Sequence, residues 1–165
     1  MPINRVELKN CKSIKNIQIS FNQINCLLGE NGTGKTNILK SIKYFYDNLT
    51  GKMADDSLYD KANPYIQSFE ITLYYDFSRL KKIAKSHLER ADKLGYKLNP
   101  IFKKISTISK KYCDQNNEMK MTLSQDKNGI QKWNVPFEVR AFMKNIFPIY
   151  FSQARHLNLI NWSEI

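Results

Sequence analysis

Ile24-Asn25-Cys26-Leu27-Leu28-Gly29-Glu30-Asn31-Gly32-Thr33-Gly34-Lys35-Thr36 is the stretch that decides the fold. Residues 29–36 fit the pattern G-x-x-x-x-G-K-[ST] in full. The run from Ile24 to Leu28 is apolar and nearly continuous, as in a short buried parallel strand. Beyond the loop, Ile38, Leu39, Ile42, Phe45, Tyr46 and Leu49 recur every three or four residues. That spacing predicts one face of a helix starting near Lys35. Strand, glycine-rich loop and helix in this order form the context in which the pattern cradles phosphate. Successive loop N–H groups make an anion-binding concavity, and the helix N-terminus adds about half a positive charge. Gly29, Gly32 and Gly34 permit positive φ and close approach. The chain has six glycines, and half of them lie in these eight residues. Lys35 is expected to reach the β- and γ-phosphates, with Thr36 offering its hydroxyl to Mg2+.

A chain of 165 residues is about one domain and long enough to bury one core. Hydrophobic residues at 42% and charged residues at 25% exclude collagenous and disordered classes. No apolar stretch approaches the roughly 20 residues that span a bilayer, and the N-terminus lacks the apolar core of a signal peptide. A cytoplasmic protein without a membrane partner is expected. Cys11, Cys26 and Cys113 match no metal spacing or disulfide framework. Cys26, inside the apolar run, reads as a buried thiol.

The net charge of +11 is uneven. Between Arg79 and Lys111 stand eleven Lys/Arg against Glu89 and Asp92. Such a segment attracts polyanions, or forms a solvated helix face. On the first reading, Lys81, Lys82, Lys85, Lys103 and Lys104 contact nucleic acid.

Along the chain, residues 3–9 suggest a strand and Asn10 to Ser13 a turn. Ile17, Ile19 and Phe21 mark a second strand pairing with the first. Residues 48–65, rich in Asn, Asp, Gly and Pro, read as a mobile loop. Phe69, Ile71, Leu73, Tyr75 and Phe77 alternate with polar neighbours, as in a half-exposed strand. Ser78 is placed to cap the next helix, whose stripe runs from Leu80 to Leu94 and includes His87 as a packed residue. Gly95 suits the helix end. Asn99-Pro100 opens a helix to about Tyr112, so 79–112 is a basic helical segment. Met119, Met121 and Leu123 alternate, Asn128-Gly129 marks a hairpin turn, and Ile130 to Val135 is the return strand. Pro136 begins a last helix that Pro148 stops. Ile149 to Phe151 suggests one more strand. The layout is a mixed α+β arrangement. No Asn-Lys-x-Asp or Thr-Lys-x-Asp is present to read guanine.

Asn10-Cys11-Lys12-Ser13-Ile14-Lys15-Asn16 resembles the N-F-R-S-I-x-N opening of RecF-like and SMC-like ATPases. Residues 24–39 are similar to their phosphate loop and helix start. The Glu-Asn-Gly-x-Gly-Lys-Thr wording is especially like the ATPase halves of OLD-family nucleases and of antiphage systems such as Gabija and Septu. The likeness is close over about residues 3–45. It implies an α/β fold, the N-terminal lobe of an ABC-type P-loop head, spanning 1–165 of a longer ATPase. It further implies ATP and Mg2+ as cofactors, a head-to-head dimer around two nucleotides, DNA as a target, and a nuclease or defence partner. By the same resemblance, the nucleotide contacts are Lys12, Ser13, Gly29, Glu30, Asn31, Gly32, Thr33, Gly34, Lys35, Thr36 and Asn37. Lys12 stands where the family has Arg, and Cys11 where it has Phe.

Phe151-Ser152-Gln153-Ala154-Arg155, within 149–158, is where the family has its Q-loop. Gln153 would then join Lys35 in catalysis and Thr36 on Mg2+; otherwise the segment is an ordinary polar turn. The Asp-Glu strand, Ser-Gly signature and switch histidine of these ATPases are not found. Asp76 ends a strand that imitates the Asp-Glu strand, but Phe77 follows it, so Asp76 is not expected to hold metal. Two functions stay open. One is an ATPase whose parent protein hydrolyses ATP. The other is a nucleotide-binding and nucleic-acid-binding module that hydrolyses nothing by itself.

Overall fold

The computed structural model describes residues 3–51, 58, 65–95 and 99–150. Five strands form one antiparallel sheet: β1 (Ile3–Cys11), β2 (Ile14–Ser20), β3 (Ser68–Asp76), β4 (Glu118–Asp126) and β5 (Gln131–Trp133), in the order β2-β1-β3-β4-β5. Four helices accompany it: α1 (Lys35–Asn48), α2 (Ser78–Leu94), α3 (Pro100–Tyr112) and α4 (Phe137–Ile146).

Side chains alternate across a strand, so the register decides what each face is made of. Ile19, Val6, Leu73 and Met121 lie opposite one another across four strands, and so do Ile17, Leu8, Ile71 and Leu123. These two apolar rows share a face. Val6, Leu8, Ile71, Leu73, Met121 and Leu123 are all fully buried, each stabilising the fold by about 1.5–3 kcal/mol of burial. α1 adds Ile38, Ile42 and Phe45 to the core. The Phe45 ring meets Trp133 edge-on at 5.0 Å. α4 contributes Val139, Phe142 and Met143, and Phe147 just beyond it stacks on Tyr75 at 5.7 Å. The other face of the sheet is polar. Arg5 lies 3.8 Å above the Tyr74 ring and pairs with Glu118 at 2.7 Å. The Thr72 and Thr122 hydroxyls meet at 3.0 Å.

α1 is also tied down by a polar cluster. The Tyr44 hydroxyl donates to Gln125, and the Gln131 amide donates to Asn48 at 2.9 Å. Arg140 on α4 donates to the Leu49 carbonyl at 3.2 Å, placing a cation at the C-terminal end of α1 where the helix dipole favours it.

Several elements differ from their sequence reading. Residues 24–28 form no strand: Ile24 is 91% exposed and Leu28 87% exposed. A strand needs a neighbour for its N–H and C=O groups, and among the described residues none lies alongside. Cys26 is accordingly exposed, not buried; Cys11 is the buried thiol, its pKa pushed up to about 12 by burial. β3 is not half-exposed, because it is the central strand and every residue from Ile71 to Tyr75 is buried. Residues 149–150 form no strand, and residue 151 lies outside the described residues. β5 covers only 131–133 of the expected return strand. Of the expected loop 48–65, Asn48 closes α1, Leu58 is buried in the core, and 52–57 and 59–64 lie outside the described residues.

Helix ends follow local chemistry. Gly95 ends α2 at φ 66°, and the Asn99 side chain accepts from the Ile101 N–H at the start of α3. Asp126 accepts from the N–H groups of Asn128 and Ile130 at 2.9 Å, closing the Asn128-Gly129 hairpin. Ser78 does not cap α2: the N-cap is Phe77, without a side-chain cap, and one residue before it the Asp76 carboxylate accepts from the Ser78 N–H at 2.8 Å. Hydrogen bonds from the Ser78 side chain and backbone hold the Asp76 carboxyl below the usual carboxylate range.

Asp76→Ala is expected to lower the unfolding free energy by about 1 kcal/mol at neutral pH, the net worth of such a hydrogen bond. Because the folded-state pKa of Asp76 is the lower one, this stabilisation is present above the unfolded pKa and disappears as pH falls through the folded one. Urea unfolding of both proteins at neutral and acid pH measures it: the difference should shrink toward zero in acid.

Candidate phosphate-binding site

The loop 29–34 enters α1 with Gly34 at φ 92°, a conformation that favours glycine. The helix then starts at Lys35, as its sequence predicts. The N–H groups of the first turn have no acceptor within the helix and face outward from its N-terminus. Residues Asn31 to Asn37 line an open concavity of about 170 Å³ there.

The Lys35 ammonium folds back over the loop. It donates to the carbonyls of Gly29 and Glu30, both at 2.6 Å, and to the Thr33 hydroxyl at 3.3 Å. The Thr33 hydroxyl in turn donates to the Glu30 carbonyl at 2.9 Å. Gly29, Glu30, Thr33 and Lys35 thus form one closed hydrogen-bonded ring of loop atoms. A Cβ added at Gly29 would come within 3.1 Å of the Thr33 hydroxyl, so the ring leaves no slack there.

A second element reaches this loop. The β1–β2 turn carries Lys12 and Ser13, and the Asn37 amide donates to the Ser13 hydroxyl at 2.9 Å. The Ser13 hydroxyl and the Ile14 side chain both lie 3.8 Å from where a Gly34 Cβ would stand. Lys12 adopts φ 53°, and its N–H donates to the Leu58 carbonyl at 2.8 Å.

Of the residues singled out in the sequence, Gly29, Glu30, Asn31, Gly32, Thr33, Gly34, Lys35, Thr36 and Asn37 are therefore gathered with Ser13, and Lys12 is next in the same turn. Gln153 lies outside the described residues. Lys81, Lys82 and Lys85 are on α2 and Lys103 and Lys104 on α3, all exposed. Within that helical hairpin, Lys81 donates to Asn117 at 2.6 Å, Lys85 pairs with Glu89 at 3.8 Å, and Lys104 lies 4.9 Å from the Phe142 ring centroid. His87 packs on Phe102 with ring centroids 4.2 Å apart, as its place in the apolar stripe suggests. The sequence reading missed Leu58, whose carbonyl and buried side chain anchor the turn; it is one of few large apolar residues in a polar segment, with Met53 and Tyr59.

The arrangement is a cationic, N–H-rich cradle at a helix N-terminus. Residues 1–158 match the family model described as "AAA ATPase domain". The chain belongs to the AAA ATPase domain family. The fold of this ATPase domain is also that of solved SMC heads. One, described under "ATP-driven dimerization and DNA stimulated activation of SMC ATPases", matches at TM-score 0.52 and 15% identity over 88% of this chain and 78% of its own. Another, an SMC head bound to the C-terminal winged-helix domain of ScpA, matches at TM-score 0.54 and 18% identity, covering 85% of this chain and 38% of its own. The SMC head domain from Thermotoga maritima matches at TM-score 0.47 and 16% identity, with 84% and 40% covered. The chain thus spans about two fifths of the length of two of these heads. The ATPase domain is an ABC-type P-loop lobe with an antiparallel sheet beside the loop and α1. Among the described residues no helix is long and apolar enough to cross a membrane.

Proposed function

We propose that the ATPase domain binds Mg2+-ATP at the loop 29–37, with Lys12 and Ser13 as a second wall, and that its parent protein hydrolyses the nucleotide. The observation that carries this reading is an open concavity at the N-terminus of α1, lined by Asn31 to Asn37 with Lys35 among them and with the Ser13 turn hydrogen-bonded to its edge at Asn37. The donor set suits a polyphosphate: N–H groups, one ammonium and one hydroxyl. Among the described residues no group of three or more His, Cys, Asp or Glu side chains could hold a metal. That suits Mg2+, which binds through phosphate oxygens, waters and few protein ligands; Thr36 would be one and Gln153 a second. Bound Mg2+ would neutralise phosphate charge. The residues of this chain would hold the phosphates, with Lys35 exchanging loop carbonyls for phosphate oxygens.

Dimerisation around two nucleotides is the head-to-head partner we assign. The SMC relative described by ATP-driven dimerisation and DNA-stimulated activation has the same fold and supports this reading. A DNA-directed activity, in repair or antiphage defence and coupled to a nuclease domain or partner, follows from the likeness of the Glu-Asn-Gly-x-Gly-Lys-Thr loop to OLD-family and Gabija- or Septu-like ATPases. The exposed basic hairpin α2–α3 is the surface we assign to DNA.

Lys35→Ala should abolish ATP binding while leaving the circular dichroism spectrum unchanged. Two charge-assisted phosphate contacts are lost, together about 3 kcal/mol or more, so Kd should rise at least about 100-fold. Isothermal titration with Mg2+-ATP measures it, and unchanged affinity would remove the loop from the site.

For the hairpin, replacing Lys81, Lys82, Lys85, Lys103 and Lys104 by Glu should weaken binding to DNA of every sequence tested. The slope of log affinity against log salt should flatten, because fewer counterions are released. Fluorescence anisotropy across a salt series reads both; binding that survives with its slope intact would move the contact elsewhere.

A further inference from the structure

We infer that Asn37 is a positioning residue that acts on nucleotide through Ser13, latching the β1–β2 turn to the start of α1. The inference rests on the reading of this loop as the ATP site and assigns one of its residues a different role. Asn37 stands in the first turn of the helix, next to Thr36, and the family resemblance places it with the direct nucleotide contacts. Its side chain is engaged elsewhere: the amide donates to the Ser13 hydroxyl at 2.9 Å, across 24 residues of chain. Its backbone carbonyl accepts from the hydroxyl of the fully buried Ser41, one turn on in the same helix, at 2.8 Å.

The turn that Asn37 holds cannot keep its shape unaided. Asn10 and Lys12 both have left-handed backbones, φ 55° and 53°, one residue apart. Asn adopts that region readily; Lys does so rarely, and such residues persist only where surrounding contacts over-determine them. Three contacts do so here. Cys11 between them is fully buried. The Asn10 amide donates to the Ser68 carbonyl at 3.2 Å and the Lys12 N–H to the Leu58 carbonyl at 2.8 Å. These fix the base of the turn to β3 and to Leu58, away from the loop. The Asn37–Ser13 bond is the side-chain hydrogen bond among the described residues that ties the tip of the turn to the phosphate loop. Ile14 and Ser13 at 3.8 Å from the Gly34 Cβ position show how near the two backbones run. Freed from Asn37, the tip keeps its base but loses its set distance from the loop.

A double-mutant cycle in the full chain separates this role from direct contact. Asn37→Ala and Ser13→Ala should each raise the Kd for Mg2+-ATP about 2- to 10-fold, the effect of one hydrogen bond. If Asn37 acts through Ser13, the double variant should be no weaker than the weaker single. Multiplying effects would make Asn37 a direct ligand and overturn the inference; so would an Asn37→Ala protein with wild-type affinity. Amide hydrogen exchange without nucleotide tests the latch independently. Asn37→Ala should speed exchange at residues 12–14 and leave the central strand β3 unchanged. Unaltered exchange at 12–14 overturns the latch whether or not ATP binds. Wild-type protein that binds no ATP would instead overturn the functional reading, and the two failures are distinguishable by which measurement shows them.

Discussion

Helix α1 must meet two opposed demands, and the rest of the domain is arranged around them. Its first turn has to stay open, with N–H groups unpaired and turned outward. Its next three turns are buried: Ile38, Ile42, Tyr44, Phe45 and Tyr46 belong to the core. An isolated helix of 14 residues is marginal in water, and α1 has no side-chain cap. The apolar face of the sheet therefore supplies what the cap does not. Two cross-strand rows running through Val6 and Leu8 give α1 a floor. The cluster of Tyr44, Asn48, Gln125 and Gln131 ties its C-terminal half to β4 and β5. Arg140 and Lys144 close its far end through Leu49 and Thr50.

Much of this was readable from the residues because the signals are local. The 3.6-residue period after Lys35, the alternation in β1, β2 and β4, Gly95, Asn99-Pro100 and Asn128-Gly129 each specify their own geometry. The failures share one cause: burial is a property of neighbours. Ile24 to Leu28 have the composition of a buried strand, yet Ile24 and Leu28 face solvent because nothing among the described residues pairs with them. β3 reads as half-exposed from its alternation. Its polar-face residues Thr72 and Tyr74 are nonetheless buried, covered by Thr122, Arg5 and neighbours on both flanking strands. Ser78 reads as a cap, yet it falls inside α2 as its first residue, with Phe77 at the N-cap.

The phosphate loop shows the same division. The motif named its members, but neither motif nor periodicity joined Asn37 to Ser13, because a contact across 24 residues has no spacing signature. Leu58 went unread for a related reason. The few large apolar residues of that polar segment, Met53, Leu58 and Tyr59, follow no strand or helix period, and only the fold gives the Leu58 carbonyl the Lys12 N–H as a partner.

The closed ring at Lys35 bears on how such a loop would take up an anion. An ammonium has three donors, and here all three are used, on two carbonyls and one hydroxyl. A phosphate oxygen that arrives must replace a neutral acceptor. The number of hydrogen bonds then barely changes, so the gain comes from exchanging a dipole for a charge. The bonds to the carbonyls already carry the charge of the ammonium, and a phosphate oxygen adds the opposite charge on the acceptor side. The loop consequently discriminates by charge before shape: a neutral ligand offers Lys35 nothing that Gly29 and Glu30 do not already provide. Shape enters at Gly29, where a side chain would bring its Cβ to 3.1 Å from the Thr33 hydroxyl and press on the ring. Selectivity for a polyanion is in this way built from the same contacts that keep the loop folded.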